Sequence, residues 1–176
     1  MSAESKVNVE IKAHCDDPEG VCDRLKSAGA RYVGLDHQTD TYFRVREGRL
    51  KLREGNIENT LIYYRRGDEA GPRPSFVRLY HPPDPEGLRA LLVEALRVEV
   101  VVKKARHIYF LSNVKVHVDS VEGLGHFLEI EAIGDPGPDV EAVLEQQCRR
   151  TMSLLGVEDD QLVDRSYSDM LAEIRR

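Results

Sequence analysis

The chain has 176 residues, of which 41% are hydrophobic and 32% are charged. This length and balance fit one globular domain over residues 1–176, with enough apolar residues for a buried core. The N-terminal residues lack the apolar stretch of a secretory signal, and no apolar run could span a bilayer, so we expect a cytoplasmic protein without membrane contact. The net charge of −6 argues against a nucleic-acid-binding protein.

The first half of the chain alternates between apolar and polar residues over short runs, a pattern typical of β-strands. After a strand at 6–14, Asp17 and Pro18 give the start signal of a helix that runs to Ala28 and stops at Gly29. The turn-rich residues 67–75 form a predicted loop between two strands. The further strands in this half are predicted at 30–37, 40–45, 49–54, 60–66 and 75–81.

The second half contains three predicted helices. Asp84 and Pro85 repeat the helix start signal, Pro138 opens a helix that closes at Gly156, and a short last helix follows Ser166. Between the first two of these helices, strands are predicted at 97–103, 106–111, 113–119 and 126–133.

So many strands with short connections indicate an antiparallel meander, which tends to close so that no edge is exposed. The apolar stripes of the helices need a surface to cover, and the apolar strand faces are the obvious partner. The predicted fold is therefore α+β, a closed antiparallel β-barrel of about eight strands with the helices packed outside.

Alternate residues of a strand share a face, so each strand can be divided into an apolar and a polar set. In the first strand, Val9 and Ile11 oppose Glu10 and Lys12. Dividing every strand in this way gives a lumen with about eight bases and four acids, which leaves 17 basic and 27 acidic residues elsewhere. The bases are Lys12, Lys51, Arg53, Arg66 (favoured over Arg65 by its spacing to Gly67), Arg78, Lys104, Arg106 and Lys115, and the acids are Glu10, Asp119, Glu129 and Glu131.

The charged face of a single strand usually meets water, but several such faces around a closed sheet would meet one another. Close like charges in a medium of low dielectric repel by several kcal/mol, so this lumen needs a multivalent anion. A triphosphate with bound divalent cations meets that need, because arginine and lysine grip phosphoryl oxygens and carboxylates hold the metal. We therefore expect the acids and the bases to have separate partners.

Four segments resemble a known family. The stretch VNVEIKA is similar to the ExExK signature that opens CYTH proteins, while KKARHIYF, NVKVHVDSVEGLGHFLEIEA and the late DRSYSDML resemble the class IV adenylyl cyclases of that family. The resemblance covers residues 7–171. It implies a tunnel-like antiparallel barrel, often dimeric, that uses Mg²⁺ or Mn²⁺ to act on a triphosphate such as ATP. A homodimer is therefore expected.

The resemblance also implies residue roles. Glu10, Lys12 and Arg106 match catalytic positions, and Asn8 stands where the first acid of the signature is expected. Because a neutral amide is a weaker metal ligand than a carboxylate, the choice between one and two metals stays open. The implied phosphate ligands include Arg53, Lys104 and Arg106, and the implied metal ligands are Glu10, Asp119, Glu129 and Glu131.

Three functions fit this lumen. The resemblance favours a cyclase, in which the ribose 3′-hydroxyl of ATP attacks the α-phosphorus and pyrophosphate leaves. A triphosphatase acting on inorganic, thiamine or nucleoside triphosphate would use water as the nucleophile in the same site. A protein that binds a polyphosphate or a nucleotide without turnover is the third alternative.

Overall fold

The computed structural model describes residues 7–65, 73–74 and 76–174. The described residues form one antiparallel sheet, four α-helices and a short 3-10 helix at Asp159–Gln161. The strands are β1 (Val7–His14), β2 (Arg31–Phe43), β3 (Arg49–Glu54), β4 (Thr60–Arg65), β5 (Arg73–Pro74), β6 (Phe76–Tyr80), β7 (Val98–Leu111), β8 (Val114–Val121) and β9 (Gly125–Gly134). The helices are α1 (Pro18–Ser27), α2 (Pro85–Ala95), α3 (Val140–Leu155) and α4 (Tyr167–Ile174).

Helices α1 and α2 begin as predicted, at the repeated sequence Asp-Pro-Glu-Gly. The Asp17 carboxylate accepts a hydrogen bond from the Gly20 backbone N–H at 2.9 Å, and Asp84 accepts one from Gly87 at 3.0 Å. These contacts satisfy N–H groups that have no partner inside a helix. Helix α3 ends at Gly156, which has the left-handed φ of 70° that glycine adopts without strain.

Two pairs of predicted strands are each one continuous strand. Residues 30–37 and 40–45 belong to the single strand β2, and 97–103 and 106–111 belong to β7. These two strands pair along most of their length, with Asp36 opposite Arg106 and Asp40 opposite Val102. The polar residues that suggested a break in each sequence lie instead in the middle of this ladder.

The prediction of a closed barrel is wrong, because the curled sheet is open. The hydrogen-bonded strand order is β5-β1-β9-β8-β7-β2-β3-β4-β6, with eight strands of five residues or more and the two-residue β5. No ladder joins β5 to β6 within the described ranges. These two edge strands are nevertheless only one residue apart in the chain, so the sheet curls until its edges approach each other.

The main hydrophobic core lies between one face of the sheet and helices α1 and α3. Ile11 and Ile130 from the sheet pack with Leu25 of α1 and Leu155 of α3, and all four are at most 2% exposed. The Cys148 thiol is also buried there and donates to the Val9 carbonyl oxygen at 3.2 Å. The prediction that helices cover the apolar strand faces is confirmed for α1 and α3.

The other two helices depart from that prediction. Helix α2 has no buried residue. Helix α4 packs on the opposite face of the sheet, where Tyr167 and Leu171 contact Val100, Val102 and Phe127. None of the described helices is long and apolar enough to cross a membrane.

Two adjacent leucines of α3 provide a matched test of this packing. Leu155 is fully buried in the main core, whereas Leu154 is 48% exposed. We expect Leu155→Ala to lower the free energy of unfolding by about 2–5 kcal/mol, because it removes buried apolar surface and leaves a cavity. Leu154→Ala should change it by about 0.5 kcal/mol or less. Urea denaturation followed by circular dichroism measures both, and equal losses would contradict this placement of α3.

Candidate functional site

The second face of the sheet is polar and concave. Lys115 of β8 reaches Glu58, in the turn between β3 and β4, with a distance of 2.5 Å from Nζ to Oε1. Glu58 also binds Arg53 of β3 at 3.1 Å, although β7 and β2 lie between β8 and β3 in the sheet. A flat sheet could not bring these side chains together. We call this surface the concave polar face.

Asp40 is the centre of one ion cluster on the concave polar face. Its carboxylate is 2.7 Å from Lys104 Nζ, 3.0 Å from Lys51 Nζ and 3.0 Å from Arg53 Nε. Burial alone would raise the pKa of Asp40, but Arg53, Lys104 and Lys51 together hold it well below the usual value. The carboxylate is therefore charged at neutral pH.

Lys104 is the least solvated base of this cluster. Burial lowers the pKa of Lys104 to about 7. The attraction of Asp40 would raise this pKa, but the nearby cations Arg53 and Arg106 oppose that effect. Its ammonium group thus depends on a neighbouring anion to stay protonated near neutral pH.

Arg106 is the centre of a second cluster and is only 2% exposed. Its Nε and Nη2 donate to the two carboxylate oxygens of Asp119 at 2.7 and 2.5 Å, and Nη2 also donates to Glu129 Oε2 at 2.6 Å. Lys12 adds a second cation, 3.3 Å from Glu129 Oε1. Burial opposes the charge on Glu129, but Arg106 and Lys12 hold its pKa well below the usual value.

The turn between β3 and β4 is fixed by Asp36, which is fully buried. Its carboxylate accepts hydrogen bonds from the backbone N–H groups of Ile57 and Glu58 at 2.9 and 3.0 Å. A Cβ at Gly55 would lie 2.5 Å from Asp36 Oδ1, so only glycine leaves room for this contact. As a result Glu58 is held where it can bind Arg53 and Lys115.

The C-terminal segment from Leu162 to Leu171 lies over one side of the concave polar face. Lys12 Nζ donates to the Arg165 carbonyl oxygen at 3.3 Å and lies 4.1 Å from the centre of the Tyr167 ring. The Tyr167 hydroxyl donates to Asp119 Oδ2 at 2.8 Å. Arg49 at the start of β3 binds Asp169 at 2.8 Å. This segment therefore contacts both the bases and the acids of the site.

A possible set of metal ligands lies beside the Arg106 cluster. One ligand atom each from His117, Glu129 and Glu131 lies within 4.8 Å of the other two. Glu10 is opposite Glu131 in the β1–β9 ladder, so it shares their face of the sheet. Burial and the Arg106 cation lower the pKa of His117, which favours the neutral imidazole that can bind a metal.

Unpaired polar atoms support the same conclusion. His117 Nε2 and Asn8 Oδ1 are both buried without a hydrogen-bond partner among the described residues. A buried polar atom without a partner costs free energy, so each is an available donor site for an additional ligand. The carboxylate and imidazole groups present here fit a divalent cation of the Mg²⁺ or Mn²⁺ type.

Most of the side chains predicted to face the lumen do lie together on the concave polar face. They come from β1, β3, β7, β8 and β9, and cross-strand register places them on one side of the sheet. These residues are Lys12, Lys51, Arg53, Lys104, Arg106, Lys115, Glu10, Asp119, Glu129 and Glu131.

The placement of Arg78 in the lumen is wrong. In the β4–β6 ladder Arg78 is opposite Tyr63, whereas Val77 is opposite Tyr64, whose ring faces Lys51. Arg78 is therefore exposed on the other face of the sheet. Arg66, the predicted base at the end of β4, lies outside the described residues.

In the described structure the acids and the bases bind one another. The expected separation of their partners concerns the protein with metal and triphosphate bound and stays a prediction. Asp40 and Glu58, which the sequence interpretation missed, bind four of the bases directly. Asp40 could have been found, since Asp36, Gln38 and Asp40 alternate along β2, but a predicted break after residue 37 hid this pattern. The six predicted bases on the concave polar face therefore lie among acids that include Asp40 and Glu58 together with Glu10, Asp119, Glu129 and Glu131.

Comparison with known proteins identifies the class to which this fold and site belong. A family model for the CYTH domain matches residues 3–167, so the chain belongs to the CYTH family. A protein of Methanocaldococcus jannaschii named "Putative adenylate cyclase" is 26% identical over 178 residues, covering 93% of this chain and 98% of the relative.

Two solved structures are similar in fold. A protein of Pyrococcus horikoshii is 24% identical, with a TM-score of 0.80 and coverage of 92% of this chain and 98% of the other. A protein of Hippeastrum is 14% identical, with a TM-score of 0.61 and coverage of 98% and 97%. At these identities the two structures establish the fold alone.

The Asp40 cluster predicts a specific dependence of stability on pH. At pH 7, Asp40→Asn should lower the free energy of unfolding by about 3–5 kcal/mol, because it leaves buried cations without a counter-charge. Since the pKa of Asp40 is lower in the folded than in the unfolded chain, wild type should lose this advantage as the pH falls below about 4, at about 1.4 kcal/mol per pH unit.

Urea denaturation at pH 7, 5, 4 and 3 measures the gap between wild type and Asp40→Asn. The matched control is Asp23→Asn, which breaks the exposed pair with Lys26 and should leave the free energy of unfolding close to that of wild type at every pH. A gap that stays constant down to pH 3 would show that Asp40 is not held charged by its neighbours.

Proposed function

We propose that this CYTH protein is a metal-dependent adenylyl cyclase that converts ATP to cyclic AMP and pyrophosphate. The observation that carries the proposal is the convergence of six bases on one concave face, next to a set of carboxylate and imidazole donors. The M. jannaschii relative, named for the same activity, supports it. A cytoplasmic location and a homodimer remain predictions.

The triphosphate would bind by replacing internal ion pairs. Lys51, Arg53 and Lys104 now share Asp40, and a triphosphate offers several charged phosphoryl oxygens that can take over their N–H groups. Lys12, Arg106 and Lys115 are placed to bind further oxygens along the same face. Because Lys104 depends on a nearby anion to stay protonated, the substrate would also restore its full charge.

Glu10, Glu129 and Glu131 are the acids that would hold a bound metal. When present, Mg²⁺ or Mn²⁺ would supply positive charge that these carboxylates and the phosphates share. A metal that shares the charge of these carboxylates would weaken their ion pairs with Arg106 and Lys12. Both bases could then bind the substrate. Metal and triphosphate should therefore bind with positive cooperativity.

The cyclase reaction forms a bond between the ribose O3′ and the α-phosphorus, breaks the bond from that phosphorus to the β-phosphate oxygen, and releases one proton. Catalysis of phosphoryl transfer is mainly positioning and charge stabilisation. Arg53, Lys104 and Arg106 would neutralise the charge that develops on the leaving pyrophosphate. Tyr167 and Asp119 would keep Arg106 in place.

A triphosphatase is the second candidate, and a relative favours it. The Hippeastrum protein of similar fold is described as an adenylyl cyclase with a dominant triphosphatase activity. The same bases would bind a triphosphate whose terminal phosphorus is attacked by water instead of a ribose hydroxyl.

The two activities are separated by their products. Purified protein is incubated with ATP and Mn²⁺, and separately with inorganic triphosphate and Mn²⁺, followed by chromatography of nucleotides and an assay for phosphate. Cyclic AMP and pyrophosphate in equal amounts support the cyclase. Rapid release of phosphate from triphosphate without cyclic AMP would make the triphosphatase the main activity, and tight binding without turnover would reject both.

The acids are tested by a conservative substitution. Glu129→Gln should lower kcat by about 100-fold, because the uncharged amide holds neither a metal nor Arg106 as strongly. Arg78→Gln is the matched control, since Arg78 is exposed on the other face, and it should keep activity within about twofold of wild type. Equal activity of the two variants would show that Glu129 does not contribute to the activity of the site.

Asn8 offers a gain-of-function test. The buried side-chain oxygen of Asn8 has no partner in the described part of the chain. Asn8→Glu restores the first acid of the signature, two residues before Glu10. We expect the Mn²⁺ concentration for half-maximal activity to fall by about tenfold, because a carboxylate binds a hard cation better than an amide does. Titration of activity with Mn²⁺ measures this change, and an unchanged midpoint would separate Asn8 from the metal.

A further inference from the structure

We propose that His117 is a direct ligand of the divalent cation, and that the resulting centre of His117, Glu129 and Glu131 selects Mn²⁺ over Mg²⁺. The inference rests on the proposed function, which supplies the requirement for a metal. It goes beyond that function because it adds a nitrogen ligand, excludes Asp119 from the metal and names the preferred ion.

The geometry brings three different donors to one point. The ligand atoms of His117, Glu129 and Glu131 lie within 4.8 Å of one another. Two ligands bonded to one ion at about 2.1 Å can be at most about 4.2 Å apart, so small side-chain rotations would close this set around a cation. His117 and Glu129 are opposite each other in the β8–β9 ladder, and Glu131 is the next residue on the same face.

The imidazole itself lacks a strong partner. His117 is only 1% exposed, and its Nδ1 lies 3.4 Å from Glu129 Oε2, near the outer limit of a hydrogen bond. Its Nε2 is buried without a hydrogen-bond partner in the described structure. In the tautomer whose Nδ1–H donates to Glu129, the lone pair of the buried Nε2 is left without a partner, and a bond from Nε2 to a metal can offset that cost.

Asp119 is already fully occupied by other groups. Its Oδ1 accepts from Arg106 Nε, and its Oδ2 accepts from both Arg106 Nη2 and the Tyr167 hydroxyl. Binding a cation would displace a buried bidentate pair with Arg106. Asp119 is therefore a positioning residue for Arg106 in this chain, in contrast to the ligand role that family resemblance implies.

A nitrogen ligand changes the preference of the site. Mg²⁺ requires near-ideal octahedral coordination and binds oxygen almost exclusively. First-row transition ions accept imidazole, and of these Mn²⁺ also suits a set that is otherwise made of carboxylates. A mixed set of one imidazole and two carboxylates should accordingly bind Mn²⁺ more tightly than Mg²⁺.

The test uses the full chain, stripped of metal with a chelator, and Mn²⁺ without any nucleotide. Pulsed electron paramagnetic resonance detects a nitrogen bonded to Mn²⁺, and growth with ¹⁵N-histidine changes that signal if the nitrogen is from histidine. We expect a histidine signal in wild type, its loss in His117→Gln, and its retention in His107→Gln, a control in which a histidine near the opposite face is removed.

Affinity gives a second readout. His117→Gln should raise the Kd for Mn²⁺ by about tenfold or more while that for Mg²⁺, measured by competition, changes by about twofold or less. Circular dichroism establishes that each variant is folded. If His117→Gln fails to fold, the absence of a ¹⁵N-histidine signal in wild type would still reject the inference.

Three outcomes overturn the inference: wild type binds no Mn²⁺, its bound Mn²⁺ shows no histidine nitrogen, or the signal persists in folded His117→Gln. Because no substrate is present, these results do not depend on turnover. Cyclase activity with Mn²⁺ but without a histidine signal would reject the inference alone, whereas a histidine signal in a protein without turnover would reject the proposed function alone.

Discussion

The burial of Arg106 between Asp119 and Glu129 is the interaction on which the rest of the site depends. A buried guanidinium is tolerated only when carboxylates occupy its N–H groups, and here two neighbouring strands supply them at 2.5–2.7 Å. The Tyr167 hydroxyl donates a further hydrogen bond to Asp119, and Lys12 and His117 contact Glu129. Strands β7, β8 and β9 and helix α4 are therefore connected by one charge network.

The same constraint shapes the other half of the concave polar face. Lys104 and Arg53 lie on different strands but share Asp40, so each cation is neutralised before any substrate arrives. An anion that binds here must therefore compete with internal carboxylates for the bases. This arrangement supports the proposal of a multivalent anion as the ligand, since a ligand with one charge could not replace so many ion pairs at once.

Some residues of this chain agree with the CYTH signature, whereas others depart from it. The fold and the concave array of bases suit either a cyclase or a triphosphatase, because both must hold the same triphosphate. The donors differ from a purely carboxylate set: Asn8 stands at the first signature position and a buried imidazole lies among the acids.

Much of this protein could be predicted from alternation alone. Strand residues two apart share a face, so Lys12, Lys51, Arg53 and Lys115 could be assigned to one polar surface, and the Asp-Pro starts of α1 and α2 are local signals. Tertiary structure decided the partners, because pairing depends on register between strands far apart in sequence. Strand register places Arg78 on the other face of the sheet and brings Asp40 and Glu58 next to the bases. Tertiary structure also leaves the sheet open and packs α4 against its polar face. The sequence alone determined which residues carry charge along each strand, and only the curled sheet determined which of those charges neutralise one another.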